Sequence, residues 1–461
     1  MNCAPPTPAR LHSLLASLEA GLLERGAAVR LSLLAALAGE HVLLIGPPGT
    51  AKSELARRLH RAFDGARYFE RLLTRFSTPE ELFGPLSLKA LEDDRYERLT
   101  EGYLPTASIA FLDEVFKANS AILNALLTLL NEREFDNGSR RTRTPLISVV
   151  GASNEVPVDE ALMAFYDRFL VRVPVAAVSD AAFADLLALQ PASAEPAQAL
   201  TRDELAGWLT QRDAVVLGKD VVAHLHTLRG VAAAQGITVS DRRWRQLVGL
   251  LRSAAFTEGR AQVDALDLWL VPYVVAQQPQ QVAALQDWFV AEVAQAAPQD
   301  APWLTHAVQA FEKQLELEAQ AQRDEADDGG AGKIALAKSL GATQEGAMLR
   351  VVSAALEAHR RQRYSTVHVA ARLAQVDEVL VRAHGHAAAL RAHSDALARA
   401  LHGRVWLPPE LAQRLLGAPR TTLALLDALI ERLDAARSGY AELPLDATLD
   451  DAAPEPIALS A

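Results

Sequence analysis

The feature that most constrains the fold is the stretch LLIGPPGTAKSELA at residues 43–56, which continues a short apolar run. It nearly matches the phosphate-loop pattern G-x-x-x-x-G-K-[ST]. Gly46, Lys52 and Ser53 are in register, whereas Ala51 stands where the second glycine belongs. Because such a loop connects a buried strand to a helix in a parallel sheet, the stretch predicts an α/β fold.

Phosphate binding makes three demands on such a loop: close backbone N–H groups, a lysine that reaches the β- and γ-phosphates, and a hydroxyl for Mg²⁺. Gly46 and Gly49 allow close approach and unusual φ, and Lys52 supplies the charge. Ser53 supplies the hydroxyl at a helix N-terminus, which itself favours an anion. The alternative is a strand and a turn with a chance lysine. The predicted nucleotide-binding residues are Gly46, Pro47, Pro48, Gly49, Thr50, Ala51, Lys52, Ser53 and Glu54.

The alanine at position 51 bears on whether the loop works or has decayed. A side chain before the lysine risks crowding the phosphate, but alanine adds only one methyl group. If residue 51 already has helical φ, no positive φ is required and alanine is tolerated. A valine or leucine here would have indicated decay.

Two carboxylates end another apolar run, SIAFLDEV, at residues 108–115. In phosphate-loop enzymes the first such acid helps to hold Mg²⁺, often through water. We assign that role to Asp113, together with Ser53, and the polarisation of an attacking water to Glu114. The structural alternative is a strand that ends in exposed acids.

Polar residues at three later positions fit the same chemistry. Asn154, in GASNE, could orient water against the γ-phosphate, although asparagine also caps loops. Arg168, in YDRFLVRV, could stabilise transition-state charge in its own subunit or a neighbouring one; the alternative is a weak surface ion pair with Asp167. Arg242 and Arg243, in SDRRW, could reach a γ-phosphate from a second domain, and the choice between them stays open.

Short apolar runs alternate with helical spacing up to about residue 175, which predicts a parallel sheet with helices on both faces. One helical stretch is expected at about 8–38. A hairpin is expected at Asn137–Gly138, because both turn positions favour positive φ. The segment 85–105 interrupts the alternation and reads as an inserted element. The predicted strands are 41–45, 67–73, 108–112, 146–152 and 169–173.

Later parts of the chain are predicted to be mainly helical. The expected divisions are a core with an N-terminal helix at 1–175, a helical lid at 176–278, a helical C-terminal domain at 279–440 with a flexible stretch at 322–333, and a frayed tail at 441–461.

Composition limits the function classes. The net charge is −11, which disfavours non-specific nucleic-acid binding because that binding neutralises phosphates. Cys3 is the single cysteine, so an internal disulfide framework is excluded and a reducing, cytoplasmic setting is expected. The apolar run at 31–38 is far below the ~20 residues that a membrane span requires, so we expect no membrane span.

In this order, GPPGTAKS, FLDE, ASNE, YDRF and SDRR resemble the motifs of AAA+ ATPases of the MoxR family. That family's loop commonly reads G-x-P-G-x-A-K-[ST], so Ala51 matches it. Within the family, TRFSTPEELFGPLSLKALEDDRYERLTEGYLP and SDRRW resemble the RavA branch. The resemblance is strong over residues 8–275 and weak towards the C-terminus.

The resemblance implies an αβα core with a five-stranded parallel sheet, a small helical lid and, here, an additional all-helical C-terminal domain. It implies ATP and Mg²⁺ as cofactors and hexameric rings with ATP between protomers. Asn154 would be sensor 1, Arg168 the trans arginine finger and Arg242, rather than Arg243, sensor 2. The insertion and the hairpin at 134–146 would face the pore. Adenine would lie near Leu22–Leu23 and the lid.

The RavA branch carries a β-rich C-terminal insertion that binds a decarboxylase, and this chain shows only helical spacing there. That partner is therefore not expected, whereas a partner with a von Willebrand factor A domain, typical of the family, is. We expect an ATP-driven, chaperone-type remodeller of an unidentified protein client. The alternatives are a nucleic-acid motor, for which the Arg140–Arg143 tip argues, and a nucleotide-controlled scaffold with little turnover.

Overall fold

The computed structural model describes residues 5–189, 198–294, 301–321, 362–449 and 452–458. The chain divides into two compact units. The first comprises Met1–Ala296 together with Ala400–Leu415, and the second comprises Ala297–Arg399 and Leu416–Ala461. The short segment 400–415 therefore belongs to the first unit although it follows most of the second in sequence. The predicted flexible stretch at 322–333 lies outside the described residues.

The first unit is built around a parallel sheet of five strands, as the apolar runs predict, and the structure adds the strand order β2-β3-β6-β1-β7. Strand β1 lies between β6 and β7, with Val42 opposite Val150 and Val171. All four residues of β1 are buried, because helices cover both faces of the sheet. The strands of this sheet are β1 (Val42–Ile45), β2 (Tyr68–Leu72), β3 (Ile109–Asp113), β6 (Ser148–Ser153) and β7 (Val171–Pro174).

Helices and smaller strands complete the first unit. Up to β7 they are α1 (Pro8–Glu19), α2 (Gly26–Leu37), α3 (Lys52–Arg61), α4 (Pro79–Phe83), α5 (Leu88–Glu92), α6 (Ser120–Glu132), β4 (Glu134–Asn137), β5 (Arg140–Arg143) and α7 (Glu160–Tyr166). After β7 they are α8 (Phe183–Leu187), α9 (Arg202–Gln211), β8 (Val216–Leu217), α10 (Lys219–Ala234), α11 (Asp241–Thr257), β9 (Gln262–Val263), α12 (Val271–Val275) and α13 (Pro279–Trp288).

The parallel arrangement sorts the predicted site residues onto two edges of the sheet. The phosphate loop follows β1, and Asp113 ends β3 and Asn154 follows β6, so all three positions lie at the carboxyl-terminal edge. Arg168 precedes β7 and lies at the amino-terminal edge. Ligands of open α/β sheets bind outside the carboxyl ends of the strands, which makes the first edge the candidate site.

The N-terminal helical stretch is broken, contrary to the single helix predicted at 8–38. Helix α1 ends at Glu19 and α2 begins at Gly26. Between them Gly21 has φ 74° and Glu24 has φ 54°, and this left-handed backbone cannot continue an α-helix. Apolar spacing on both sides hides the break, because each helix buries its own apolar face.

The hairpin at 134–143 forms as predicted, but its turn is shifted by one residue. The antiparallel register pairs Asn137 with Arg140, so the two loop residues are Gly138 and Ser139. Only Gly138 of these has positive φ, at 66°. This turn leaves the Asn137 side chain free to pair with the insertion: its Oδ1 accepts from the Arg98 N–H at 2.7 Å, and its Nδ2 donates to the Arg98 carbonyl at 3.1 Å.

A segment from the C-terminal region completes the first unit. The Trp406 side chain is buried, and its indole N–H donates to Thr257 Oγ1 at 2.8 Å. The Val405 N–H donates to Glu258 Oε1 at 2.7 Å, and the Arg404 guanidinium pairs with Asp267 at 3.1 Å. Residues 404–406 are thus held by the end of α11 and the turn that follows β9.

The second unit is helical, in agreement with the prediction. Its described helices are α14 (Pro302–Gln320), α15 (Thr366–Leu401) and α16 (Pro409–Ala441), of which the last two extend into the first unit. The predicted frayed tail is partly ordered, since Tyr364 and Leu445 form a β-bridge and Leu443 is buried. No helix in the described part of the chain is long and apolar enough to cross a membrane.

Candidate active site

The phosphate loop runs from Gly46 to Ala51 and leads directly into α3. A Cβ at Gly46 would lie 1.9 Å from the Val175 carbonyl oxygen, so glycine is required there for backbone packing after β7. Gly49 has φ +79° and open space around its Cα, so it serves the turn itself. The two glycines therefore have different roles, which their spacing did not reveal.

Ala51 does not have the helical φ at which the loop would tolerate alanine without strain. Its φ is 64° and its ψ 25°, the left-handed region, immediately before the first residue of α3. An L-residue with a Cβ pays about 1 kcal/mol there, whereas glycine adopts it freely. The condition of helical φ is therefore not met, and the loop holds a locally strained alanine.

Lys52 is buried and folds back onto its own loop. Its Nζ donates to the carbonyls of Gly46 and Pro47, both at 2.8 Å. Burial lowers the pKa of this ammonium, and the nearby carboxylates of Asp113 and Glu114 oppose that shift. The ammonium thus lies within electrostatic reach of both acids, and its two carbonyl partners are ones that a phosphate could replace.

The two acids at the end of β3 are held by an unusual backbone. Glu114 has φ 51° and ψ 45°, a second left-handed non-glycine residue at this edge. The Glu114 N–H donates to Asp113 Oδ1 at 3.0 Å. Strained backbone of this kind concentrates at functional sites, where the surroundings enforce it. It turns consecutive side chains in different directions.

Glu114 and Asn154 are joined directly. Asn154 Nδ2 donates to Glu114 Oε1 at 2.6 Å, and Lys117 Nζ lies 3.3 Å from the same oxygen. The sequence placed these residues 40 positions apart, and adjacent parallel strands β3 and β6 bring them together. The amide therefore controls where the carboxylate points, as an orienting group beside a reacting centre must.

The other two predicted residues of α3 differ in their availability. Ser53 is half-buried at the second position of the helix, where a hydroxyl can face an anion at the helix N-terminus. The Glu54 carboxylate is paired with Arg58 at 2.8 Å, so only its backbone N–H is left for a phosphate.

A cavity of about 420 Å³ adjoins the loop on the side away from the acids. Leu22 and Leu23 line it, as expected for a base pocket, and Val178, Phe183 and Leu186 form much of the remaining wall. A larger cavity of about 740 Å³ lies beyond Glu114, but none of the residues that line it belongs to the loop. Of these two cavities, the smaller one is lined by the phosphate loop.

Arg25 is a site residue that the sequence did not reveal. Its guanidinium is buried, with Nε donating to the Thr50 carbonyl at 3.1 Å and Nη2 to the Ala176 carbonyl at 2.7 Å. The sequence carried no signal for this role, because Glu24–Arg25 reads as an ordinary polar interruption of an apolar pattern.

The structure distinguishes the two arginines of SDRRW. Arg243 is only 3% exposed and donates to the carbonyls of Val274, Phe169 and Leu170 and to Asp167. Burial lowers the pKa of Arg243 to about 9. Such a side chain is fixed in the core, so Arg242 is the available member of the pair.

Neither Arg242 nor Arg168 lies beside the phosphate loop of its own chain. The exposed Arg242 donates to Asn131 Oδ1 at 3.1 Å, at the amino-terminal edge, where His41 accepts and donates within the core. Strand β1 separates that edge from the loop by roughly 13 Å. Asp167 pairs with Arg172 and Arg243, so no ion pair with Asp167 occupies Arg168 among the described contacts.

Comparison with known proteins gives concordant matches. The family model of the MoxR domain in MoxR-vWA-beta-propeller ternary systems matches residues 9–207, and a model of an AAA lid domain matches residues 220–289. Two uncharacterised proteins of Methanocaldococcus jannaschii are each 40% identical over 58% of this chain, covering 70% and 72% of their own lengths. Protein MoxR of Paracoccus denitrificans is 28% identical over 56% of this chain and 85% of its own length.

Proposed function

The chain belongs to the MoxR family of AAA+ ATPases, and on that premise we propose that it hydrolyses ATP at the carboxyl-terminal edge of its sheet. The observation that carries the proposal is the 2.6 Å hydrogen bond between Asn154 and Glu114, close to the buried Lys52. An acid positioned by an amide beside a phosphate-binding lysine is the arrangement that water activation requires.

The resting contacts suggest how ATP would engage the site. A γ-phosphate beside Lys52 offers that ammonium stronger, charged acceptors than the two loop carbonyls it now contacts. The same phosphate can accept from Asn154 Nδ2, which frees Glu114 to take a proton from water. The Asn154–Glu114 hydrogen bond would thus keep the base occupied until nucleotide arrives.

Magnesium fits the donor set. The Ser53 hydroxyl and the Asp113 carboxylate are oxygen ligands of the kind that Mg²⁺ prefers, and nucleotide phosphates and water would complete the shell. Among the described residues no group of three His, Cys, Asp or Glu side chains could hold a metal by itself. When bound, the ion would neutralise phosphate charge and orient the γ-phosphate.

Turnover tests the assignment of Glu114 as the base. Glu114→Gln keeps the size and the hydrogen bond to Asn154, but removes the basic oxygen. It should bind fluorescent ATP analogues normally and hydrolyse ATP about 10²–10⁴-fold more slowly. The matched control is Glu155→Gln, an acid at the same edge, which should retain wild-type turnover. Full activity in Glu114→Gln would remove the assignment, and negligible wild-type turnover would favour a scaffold.

We further propose that Arg168 and Arg242 act on the nucleotide of a neighbouring protomer in a hexameric ring. Both lie at the amino-terminal edge of the sheet, opposite the phosphate loop of their own chain. Arg243 fixes the backbone directly after Arg168 through the carbonyls of Phe169 and Leu170. The Arg168 Nε is buried without a hydrogen-bond partner among the described residues. An arginine finger typically contributes 10³–10⁵-fold to turnover.

Mixing inactive chains tests this arrangement. Lys52→Ala and Arg168→Ala should each be inactive alone, but mixed rings contain some interfaces with an intact lysine on one side and an intact arginine on the other. ATP turnover should therefore recover partly at intermediate ratios. No recovery at any ratio, in rings shown to be mixed by co-purification of differently tagged chains, would place Arg168 outside the reaction.

For the biological role we propose remodelling of a protein client together with a partner that carries a von Willebrand factor A domain. The matched family model, described as part of MoxR-vWA-beta-propeller systems, supports this partner. Purified A-domain protein should co-elute with the ATP-bound ring and change its turnover. Absence of both effects would argue against the partnership.

The exposed strand β5 gives little support to the hypothesis of a nucleic-acid motor. Arg141, its central arginine, is paired with Glu132, Glu134 and Asp136 at 2.5, 3.0 and 3.1 Å. These carboxylates neutralise the residue that would contact phosphates. DNA- or RNA-stimulated turnover that falls steeply with salt would restore the motor hypothesis.

A further inference from the structure

We propose that Arg25 is a positioning residue that holds the phosphate loop in its nucleotide-binding conformation, and that it is needed because residue 51 is alanine rather than glycine. The proposal rests on the proposed nucleotide site. It concerns the peptide unit between Thr50 and Ala51, whose carbonyl oxygen accepts from Arg25 Nε at 3.1 Å.

The direction of this peptide unit decides where one loop N–H points. In a trans peptide the carbonyl and the N–H point in opposite directions. Arg25 holds the Thr50 carbonyl, so the Ala51 N–H points the other way. No described residue accepts a hydrogen bond from the N–H of Gly49, Thr50 or Ala51. Unpaired loop N–H groups of this kind are what a phosphate binds.

Strain at Ala51 works against that direction. With φ at 64°, the alanine pays about 1 kcal/mol that a glycine would not. Rotation of the peptide unit would return residue 51 to a favoured region and turn its N–H away. An external hydrogen bond to the Thr50 carbonyl opposes this rotation. Thr50 Oγ1, which donates to Pro47 at 3.0 Å, braces the preceding turn but does not hold that carbonyl.

The guanidinium of Arg25 is itself firmly placed. It is 6% exposed, and its three nitrogens donate to three carbonyls, those of Thr50, Ala176 and Glu24. The Glu24 carboxylate accepts from the Ser179 N–H at 2.8 Å, which ties the same turn to the chain that follows β7. Lysine cannot reproduce this contact, because it lacks the planar fork that reaches several carbonyls at once.

Arg25 also adds positive charge beside the loop. Its charge is among the influences that lower the pKa of Lys52, which places the two cations near each other. Two cations at one anion site favour phosphate binding. Loss of Arg25 should therefore weaken nucleotide binding through charge and through loop conformation, and only the second effect depends on the residue at 51.

A double-mutant test separates these effects. We would measure binding of a fluorescent ATP analogue to wild type, Arg25→Ala, Ala51→Gly and the double variant. Arg25→Ala should raise the Kd about tenfold or more. Ala51→Gly in the presence of Arg25 is the reference for residue 51, and it should change the Kd by less than the same substitution does in the Arg25→Ala background. In the double variant, glycine adopts the left-handed conformation without help and should recover at least threefold of the loss.

The matched control is Arg58→Ala. Arg58 lies on α3, where it pairs with Glu54 and donates to the carbonyls of Leu18 and Ala20, but no hydrogen bond among the described residues joins it to the loop Gly46–Ala51. Any loss of binding in Arg58→Ala should not be recovered by Ala51→Gly. Arg25→Lys, which keeps the charge, serves if Arg25→Ala does not fold, and it too should be rescued by Ala51→Gly.

The results have distinct meanings. An unchanged Kd in a folded Arg25→Ala, or no recovery in the double variant, would overturn the positioning role. In steady-state assays the KM for ATP should rise more than kcat falls, because Glu114 and Asn154 are untouched. If the wild type bound no nucleotide, the proposed function would fail first, and this inference with it.

Discussion

The two edges of the five-stranded sheet differ in how completely their polar groups are satisfied. At the carboxyl-terminal edge, Ala51 and Glu114 have left-handed backbone, and the N–H groups of Gly49, Thr50 and Ala51 lack partners among the described residues. At the amino-terminal edge, Arg243 is hydrogen-bonded by several carbonyls, and His41 bridges the Leu130 carbonyl and the Val149 N–H.

This contrast assigns different tasks to the two edges. Satisfied groups stabilise the fold and cannot bind anything else without loss. Unsatisfied N–H groups and strained residues cost stability, but they provide contacts that a ligand can complete. The carboxyl-terminal edge is therefore built for chemistry. The amino-terminal edge is built for stability, except at Arg168 and Arg242, which our proposal assigns to a neighbouring protomer.

The largest expected effect is on stability at the satisfied edge. Arg243→Met would leave the carbonyls of Val274, Phe169 and Leu170 without their buried donor and would remove one of the two cations paired with Asp167, and it should lower the free energy of unfolding by about 4 kcal/mol. Arg242→Met, the exposed neighbouring position, should change it by less than about 0.5 kcal/mol. Urea denaturation measures both. Similar losses in the two variants would contradict the division between a fixed and an available arginine.

A pH titration tests Glu40, a titratable carboxyl group at the amino-terminal edge. Burial raises the pKa of Glu40 to about 7, although Arg133, Arg212 and Arg242 lower it and Gln246 donates to it. The pKa of Glu40 is higher in the folded protein than in the unfolded chain, so protonation of Glu40 stabilises the fold. That stabilisation is complete below pH 4.5 and is lost as the pH rises through 7.

Glu40→Gln should remove that loss. Relative to the variant, the wild type should lose roughly 3 kcal/mol of unfolding free energy between pH 4.5 and pH 8. Denaturation curves at several pH values measure the difference. Parallel pH profiles for the two proteins would show that Glu40 has an ordinary pKa and that the amino-terminal edge has no such weakness.

The smallest expected effect has the opposite sign and lies at the strained edge. Glu114→Gly removes the penalty of left-handed φ and should raise the unfolding free energy by about 1 kcal/mol while it abolishes turnover. Glu54→Gly, in the right-handed backbone of α3, should lower it by about 1 kcal/mol. Destabilisation in both variants would mean that Glu114 is not strained.

Sequence patterns predicted the five-stranded sheet well. Buried parallel strands read as apolar runs, and the residues that follow them meet at one edge whatever their separation along the chain. The positions of Asp113, Glu114 and Asn154 at the same edge of the sheet could therefore be predicted from the sequence. The five-stranded parallel sheet, the lid and the helical C-terminal region were predicted correctly.

Local backbone geometry was not predictable in the same way. Left-handed φ is expected at glycine, so Ala51, Glu24 and Glu114 gave no signal, and the break between α1 and α2 was missed. Arg25 escaped notice because a buried arginine looks like an exposed one in sequence. Which of Arg242 and Arg243 is fixed depends on the carbonyls that surround it, and only tertiary packing supplies these.

The contact between Trp406 and Thr257 has a consequence for folding during synthesis of the chain. Trp406, which contacts Thr257 and Glu258, is synthesised about 150 residues after them, and this takes roughly 10–30 s at ordinary elongation rates. During that interval Glu258, Asp264 and Asp267 keep their ion pairs with Arg260 but lack the additional contacts that residues 404–406 supply. The first unit can therefore complete its contacts only once most of the C-terminal helices have been made, and a translation product ending near residue 300 would lack them.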